Sequence, residues 1–254
     1  MGFLHDGHLS LIRTAKKKCD IVVVSIFVNP TQFGPSEDFA RYPRDLKQDS
    51  RLAQEAGCDI LFVPDTAEIY NERASTFVVV EGISAVLEGR FRPTHFQGVT
   101  TIVCKLFNIV HADKAFFGQK DAQQCVVVKK MVKELNIPVE IEIVPTVREM
   151  DGLAKSSRNI YLSPEERLSA PVLFQSLRFA GDLVTQGETD AEKITSQMKQ
   201  MIMLKNPSAI DYGEIVDADS LEPVKTILPG KTILVVLAVR FGTTRLIDNI
   251  ILTT

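Results

Sequence analysis

The chain has 254 residues, 45% of them hydrophobic and 24% charged, which is enough to bury a sizeable core in one large domain or two unequal ones. A formal net charge of -3 gives no long-range attraction to nucleic acid or to an anionic membrane, so an anionic ligand has to be held by a local cluster. Cys19, Cys58, Cys104 and Cys125 are scattered without C-x-x-C spacing, and no apolar run reaches the ~18 residues of a membrane span. Neither a zinc site, a disulfide framework nor a signal peptide is expected, and a reducing cytoplasm is the expected compartment.

His5-Asp6-Gly7-His8 comes directly before an amphipathic stretch with Leu9, Ile12, Arg13 and Lys16, putting two imidazoles and a glycine at a helix N-terminus. Such a terminus binds phosphate readily, and two histidine donors can meet charge that builds there during reaction. Alone, the pair reads equally well as two surface histidines. Ile21 to Val28 is almost continuously apolar, as expected of a strand covered on both faces. Asn29-Pro30-Thr31-Gln32-Phe33-Gly34 follows it as a turn, which puts Gln32 at the carboxyl end of a parallel strand, where open α/β sheets hold ligands. A glutamine amide both donates and accepts, which suits a hydroxy acid.

Further strands are predicted at Asp59 to Val63, Thr76 to Val80, Lys114 to Phe117 and Val139 to Val144. Between them, Phe96 to His111 is the clearest helix, with Val99, Ile102, Val103, Leu106, Phe107 and Val110 on one face. His95 is another imidazole at a helix start, or only a cap-region residue, and His111 reads as a dipole partner at the far end with no role assigned. Phe117-Gly118-Gln119-Lys120-Asp121-Ala122-Gln123-Gln124 leaves a strand and opens a helix. Gly118 lets a nucleotide lie against the backbone, Lys120 is a point charge for phosphate, and Asp121 can accept from ribose hydroxyls or serve only as a cap. Strands alternating with amphipathic helices predict a parallel sheet.

The character changes after Val144, and a domain boundary is expected near Thr146. Lys155-Ser156-Ser157-Arg158-Asn159 offers two hydroxyls and two cations able to grip a triphosphate, although most such loops are merely solvated. Ser163-Pro164-Glu165-Glu166 is a structural helix start, with Ser as N-cap, Pro at N1 and Glu at N3. Asp211 to Val216, Thr232 to Val239 and Leu246 to Leu252 predict a small antiparallel sheet.

Taken in order, MGFLHDGHLSL, VVVSIFVNPTQFGPSEDFARYPRD, GRFRPTHFQGVTTIVCKLFNIV, FFGQKDAQQ, VPTVREMDGLAKSSRNIYLSPEER and FGTTRLIDN make the chain resemble the pantothenate synthetase family over nearly its whole length. The resemblance implies an α/β fold: a Rossmann-like parallel domain binding ATP and pantoate over residues 1–146, and a smaller α+β lid over 147–254. It implies condensation of pantoate with β-alanine through a pantoyl-adenylate, a homodimer in the cytoplasm, and Mg2+ carried mainly on phosphate oxygens, near Asp49, without a dedicated metal cage. No nucleic-acid or membrane partner is implied.

Residue by residue, the resemblance assigns His5, His8 and Lys120 to the ATP phosphates and the adenylation transition state. Gln32 and Gln124 are assigned to pantoate, Gly118 and Asp121 to the ribose, Ser156, Ser157 and Arg158 to the triphosphate, and Met1 to the pocket lining. Two residues depart from the pattern. Gln119 replaces a frequent Glu, and Lys155 replaces a frequent Met or Leu, adding charge beside the phosphate loop and so tightening ATP. The family also carries a strand ending in Val-Pro-Thr ahead of the position of Met1. The sequence is therefore read as N-terminally truncated, with unpaired edges expected on the two strands that would flank that strand. A related nucleotidyltransferase, or an inactive nucleotide-binding dimer, are the competing readings.

Overall fold

A computed structural model describes residues 2–35 and 37–254, so Met1 lies outside the described residues. The chain divides into two compact units, one made of Met1–Gln119 with Gln123–Pro145, the other of Lys120–Ala122 with Thr146–Thr254. The short Lys120–Ala122 segment, which sequence order gives to the first domain, thus groups with the second unit.

In the first unit the elements run α1 (Asp6–Lys16), β1 (Val23–Ser25), α2 (Leu46–Ala56), β2 (Ile60–Phe62), α3 (Thr66–Ile69), α4 (Glu88–Phe91), α5 (His95–Val110), β3 (Lys114–Gly118), α6 (Ala122–Glu134, whose first residue belongs to the second unit) and β4 (Glu140–Val144). β1 pairs in parallel with β2, and β3 in parallel with β4. These are two separate two-stranded sheets, so among the described residues each of the four strands has one edge without a ladder partner.

Side chains alternate across a strand, and β3 uses both faces. Phe116 packs with Val22, Val24 and Ile26 against the buried faces of α1 and α2. Phe117 packs the other way, with Val99 of α5 and Val127, Val128 and Met131 of α6. Helices therefore cover both sides, the layering of a doubly wound α/β domain.

Two predicted strands differ in the structure. The ladder at Ile21 to Val28 is limited to Val23–Ser25, which pairs with β2 alone among the described residues, although Ile26 N still donates to Phe62 O at 2.9 Å. Thr76 to Val80 is not a strand. Its polar backbone is taken by a helix instead: Val78 N donates to Thr101 Oγ1 at 3.0 Å, and Thr100 Oγ1 donates to Val78 O at 2.5 Å. The alternation of burial is present, with Val80 buried and Phe77 and Val79 exposed, but α5 supplies the buried face.

The second unit carries α7 (Pro164–Ser169), α8 (Val172–Thr185), α9 (Ala191–Met203), β5 (Ala209–Asp217), β6 (Thr232–Phe241) and β7 (Thr244–Thr253). The three strands form an antiparallel sheet in the order β5-β6-β7. Leu173 and Leu177 of α8 and Ile194, Met198 and Ile202 of α9 pack against Val235, Leu237 and Val239 of β6, making one core. At about 25 cal/mol per Å² of apolar area, burial of this kind dominates the stability of the unit. α7 starts as expected, Ser163 Oγ accepting from Glu166 N at 3.2 Å while Ser163 N donates to Glu166 Oε2 at 2.8 Å. Among the described residues no helix is long and apolar enough to cross a membrane.

Candidate active site

α1 begins with an unusual cap. A capping box needs two side-chain acceptors facing two backbone donors, and here both acceptors are imidazoles. Gly7 N donates to His5 Nδ1 at 3.1 Å, and His5 N donates to His8 Nδ1 at 3.3 Å. A ring nitrogen that accepts carries no proton, so both neutral rings hold their proton on Nε2. The rings stack with centroids 4.0 Å apart and planes tilted by 31°. The result is a pair of half-buried imidazoles with Nε2–H donors at the positive end of a helix, where negative charge is favoured.

The approach to this cap is fixed from α2. Asp49, 2% exposed, accepts from Phe3 N at 2.8 Å and from Leu4 N at 2.6 Å. Phe3 sits at φ 52, a left-handed conformation that a phenylalanine adopts only when held there. The family resemblance puts Asp49 near magnesium. In the structure both of its oxygens accept backbone amides, which holds the residues that precede His5. Among the described residues no group of three histidines, cysteines or carboxylates could hold a metal ion.

After β1 the chain enters a 3-10 turn over Pro30–Gln32. Asn29, 2% exposed, organises this turn: its Oδ1 accepts from Thr31 Oγ1 and Tyr70 Oη, each at 2.9 Å, and its Nδ2 donates to Gly98 O at 3.1 Å and to Gln32 Oε1 at 3.3 Å. Burial lifts the Tyr70 phenol above its ordinary pKa, outweighing the hydrogen bonds to Thr31 and Asn29 that pull it down. In sequence Asn29 is only turn punctuation. Nothing in Asn-Pro distinguishes a buried organiser from a surface turn, and only the burial does so.

The two glutamines at the start of α6 behave differently. Gln123, 5% exposed, accepts from Glu88 N and donates to Ile83 O and Val86 O, all within 2.8 to 2.9 Å. Its amide is wholly structural. Gln124 is half-buried in the same turn and carries none of these bonds. A Cβ added at Gly118 would meet nothing within 4 Å, so the backbone at the end of β3 has an open face.

In the second unit, Lys120 Nζ lies 3.5 Å from Asp121 Oδ1, and the Lys120 carbonyl accepts from Asn249 Nδ2 at 2.9 Å. Asn249 follows Asp248, whose carboxylate holds Arg148 through two bonds of 2.6 and 3.0 Å while Arg148 lies 3.7 Å above the Phe174 ring. Burial pushes the Asp248 carboxyl above its ordinary range against the pull of Arg148. In sequence Asp248 and Asn249 are legible only as part of FGTTRLIDN, with no role attached.

The polar loop is more ordered than a solvated loop needs to be. Ser156 caps a 3-10 helix over Ser157–Tyr161, its Oγ accepting from Arg158 N at 3.2 Å, and Ser157 is buried. Lys155 Nζ is paired with Glu149 Oε2 at 2.9 Å. The extra cation expected beside the phosphate loop therefore comes with its own counter-charge.

The chain is similar to known proteins in both sequence and fold. The family described as pantoate-beta-alanine ligase matches residues 1–251. The pantothenate synthetase of Acetivibrio thermocellus is 58% identical over 251 residues, covering 99% of this chain and 89% of its own length. That of Moorella thermoacetica is 54% identical over 252 residues, covering 99% and 88%. Among solved structures, pantothenate synthetase from Thermus thermophilus superposes with a TM-score of 0.93 at 47% identity, covering 98% of this chain and 90% of its own. The ligase from Francisella tularensis, solved with beta-gamma ATP and β-alanine, gives a TM-score of 0.79 at 33% identity, covering 98% and 86%. With matches of this length and identity behind the paired imidazoles, the ordered glutamine turn and the two-unit α/β architecture, the chain belongs to the pantoate–β-alanine ligase family.

Proposed function

We infer that the chain does what its family does: it joins pantoate to β-alanine, driven by ATP, through a pantoyl-adenylate. The observation that carries this reading is the reciprocal histidine cap, which fixes two Nε2–H donors at the head of α1. Pantoate carboxylate attacks the α-phosphorus of ATP, the bond to the bridging oxygen breaks, and pyrophosphate leaves with the electron pair. The β-alanine amine then attacks the acyl carbon, loses a proton, and expels AMP, which keeps one former carboxylate oxygen. Neither step needs a covalent enzyme intermediate, so the protein contributes position and charge.

His5 and His8 donate from Nε2 to the phosphate oxygens on which charge accumulates. Lys120 supplies a further positive charge to the phosphates. Gln32 and Gln124 hold the hydroxyl and carboxylate of pantoate, and Met1 lines its pocket. Gly118 and Asp121 take the ribose, and Ser156, Ser157 and Arg158 the triphosphate, with Lys155 a lesser contributor because of Glu149. These roles rest on matched motif positions and on the donors and acceptors each side chain carries. Mg2+ would travel on the phosphate oxygens of ATP, as the resemblance to the family implies. The protein works as a cytoplasmic homodimer, by resemblance to the family.

The test is pantoate-dependent exchange of labelled pyrophosphate into ATP by the purified chain without β-alanine. Exchange should require pantoate, and His8→Ala should reduce it by about 10²- to 10³-fold, the usual loss for one transition-state donor. Exchange that proceeds without pantoate, or that His8→Ala leaves unchanged, contradicts the reading.

A further inference from the structure

Gln32 is held by its main chain as well as by its amide. Its carbonyl oxygen lies 3.0 Å from His95 Nδ1 and 3.3 Å from Arg92 Nη2. A carbonyl only accepts, so His95 must carry its proton on Nδ1. A guanidinium only donates, so Nε2, 3.3 Å from Arg92 Nη1, must be bare. The imidazole is therefore a neutral ring in a single tautomer, with both nitrogens engaged. Its face is fixed by Phe96, at 4.9 Å between centroids and 65° between planes.

Arg92 is fixed in turn. Its Nε and Nη2 form a fork on Glu37 at 2.9 and 2.6 Å, and Glu88 Oε2 lies 3.9 Å from Nη1. A bidentate Arg–carboxylate pair on partly buried side chains sets a direction as well as a charge. The helix that carries His95 also approaches the turn closely, since a Cβ at Gly98 would lie 2.4 Å from Thr31 O and 2.6 Å from Gln32 N. The turn thus has three supports: Asn29 beneath the amide, Gly98 against the backbone, and the Arg92–His95 pair on the carbonyl.

We propose that Arg92 and His95 are positioning residues that set the Gln32 main chain, and through it the direction in which the Gln32 amide meets the hydroxy acid. The proposal rests on the reading of Gln32 as a pantoate contact. Neither residue touches substrate in this role. Their effect should therefore fall on the affinity for pantoate and leave that for ATP alone.

A pair of amide substitutions separates this from a general structural role. In His95→Asn the amide nitrogen stands where Nδ1 stood and can still donate to the Gln32 carbonyl. In His95→Gln the donor is displaced by one bond, toward the place of Nε2. Steady-state kinetics on the full chain should give His95→Asn a pantoate KM close to the parent value. His95→Gln should raise that KM about tenfold, the worth of one well-placed hydrogen bond, with the ATP KM within about twofold of parent. Equal pantoate KM values in the two variants, or an ATP KM that rises in step, overturn the proposal. Gln32→Ala is measured alongside: if it leaves the pantoate KM unchanged, the reading of Gln32 fails, whereas a raised value with no difference between the His95 variants sinks the positioning role alone.

Discussion

At the scale of single residues, the histidines of this chain differ because their partners do. His5 and His8 accept backbone N–H groups at Nδ1 and present Nε2–H, while His95 donates from Nδ1 and accepts at Nε2. His95 is pushed down to about 4, first by burial and then by the charge of Arg92, against the opposing influence of the Gln32 carbonyl, Glu88 and Glu37. Arg92, Glu88 and Glu37 are the charged groups that act on it. Burial pushes the Glu37 carboxyl up, but the Arg92 guanidinium outweighs it and the group remains below its ordinary range, so the counter-charge persists into mild acid.

The consequence for stability has a definite sign. The folded pKa of His95 lies below the unfolded value of 6.5, so between 6.5 and about 4 the unfolded chain binds the extra proton first. The contribution is fully present above the unfolded value and is lost as pH falls through that window. Urea denaturation from about pH 7 to about pH 4.5 should show stability falling, and His95→Asn, which cannot titrate, should flatten part of that slope. An identical slope in the variant would mean that His95 is not the group responsible.

At the scale of elements, the approach of α5 to the turn after β1 gives the sharpest contrast between local and tertiary physics. An alanine in place of a mid-helix glycine normally favours the helix by up to about 1 kcal/mol. At Gly98 the new Cβ would meet backbone atoms of Thr31 and Gln32 that cannot move aside as a flexible side chain would. Overpacking of this kind typically costs about 1–3 kcal/mol and should outweigh the helical gain. Gly98→Ala should therefore destabilise the protein in denaturant titration and raise the pantoate KM. A stabilised variant with parent kinetics would show that the contact is loose.

How much of an element can be read from the sequence depends on how local its cause is. The Ser163 cap, the buried face of α5 and the strands β5 to β7 follow from residues close in sequence, and each is legible. Thr76 to Val80 is not, because its pairing partners are hydroxyls of Thr100 and Thr101 on a helix, and side-chain satisfaction of an extended segment leaves no periodic signal. The short ladder of β1 has a similar origin: hydropathy reports burial on both faces, whereas ladder length depends on which strands stand alongside.

The candidate site is legible where motif residues are themselves the proposed donors and charges, as His5, His8, Gln32 and Lys120 are in the reading above. The residues that hold them are not. Asn29, Asp49, Arg92 and Asn249 act on backbone groups, often far along the chain, and an Asn or Asp that binds a main-chain amide looks in sequence like any other cap or turn. Gln123 and Gln124 make the same point in reverse, since two adjacent identical residues differ in burial and bonding according to the helix face each occupies: Gln123 is tied into the core and Gln124 is half-buried.

At the scale of the whole molecule, the two units have different kinds of core. The first builds an α/β layer from parallel strands with helices on both faces, the second an antiparallel sheet with α8 and α9 packed against it. The segment Lys120–Ala122 belongs by packing to the second unit although its neighbours in sequence belong to the first. The chain thereby ties the lysine read as a phosphate contact to β7 through Asn249 and the Arg148–Asp248 pair.

Every role proposed for these residues depends on one chemical claim, that the pantoate carboxylate is activated by transfer of AMP. Its most direct test is a single turnover with pantoate labelled by heavy oxygen in the carboxylate, together with ATP and β-alanine, and mass analysis of the products. One labelled oxygen should appear in AMP and none in pyrophosphate or inorganic phosphate. Label recovered in a phosphate other than AMP, or AMP released without label, would contradict it.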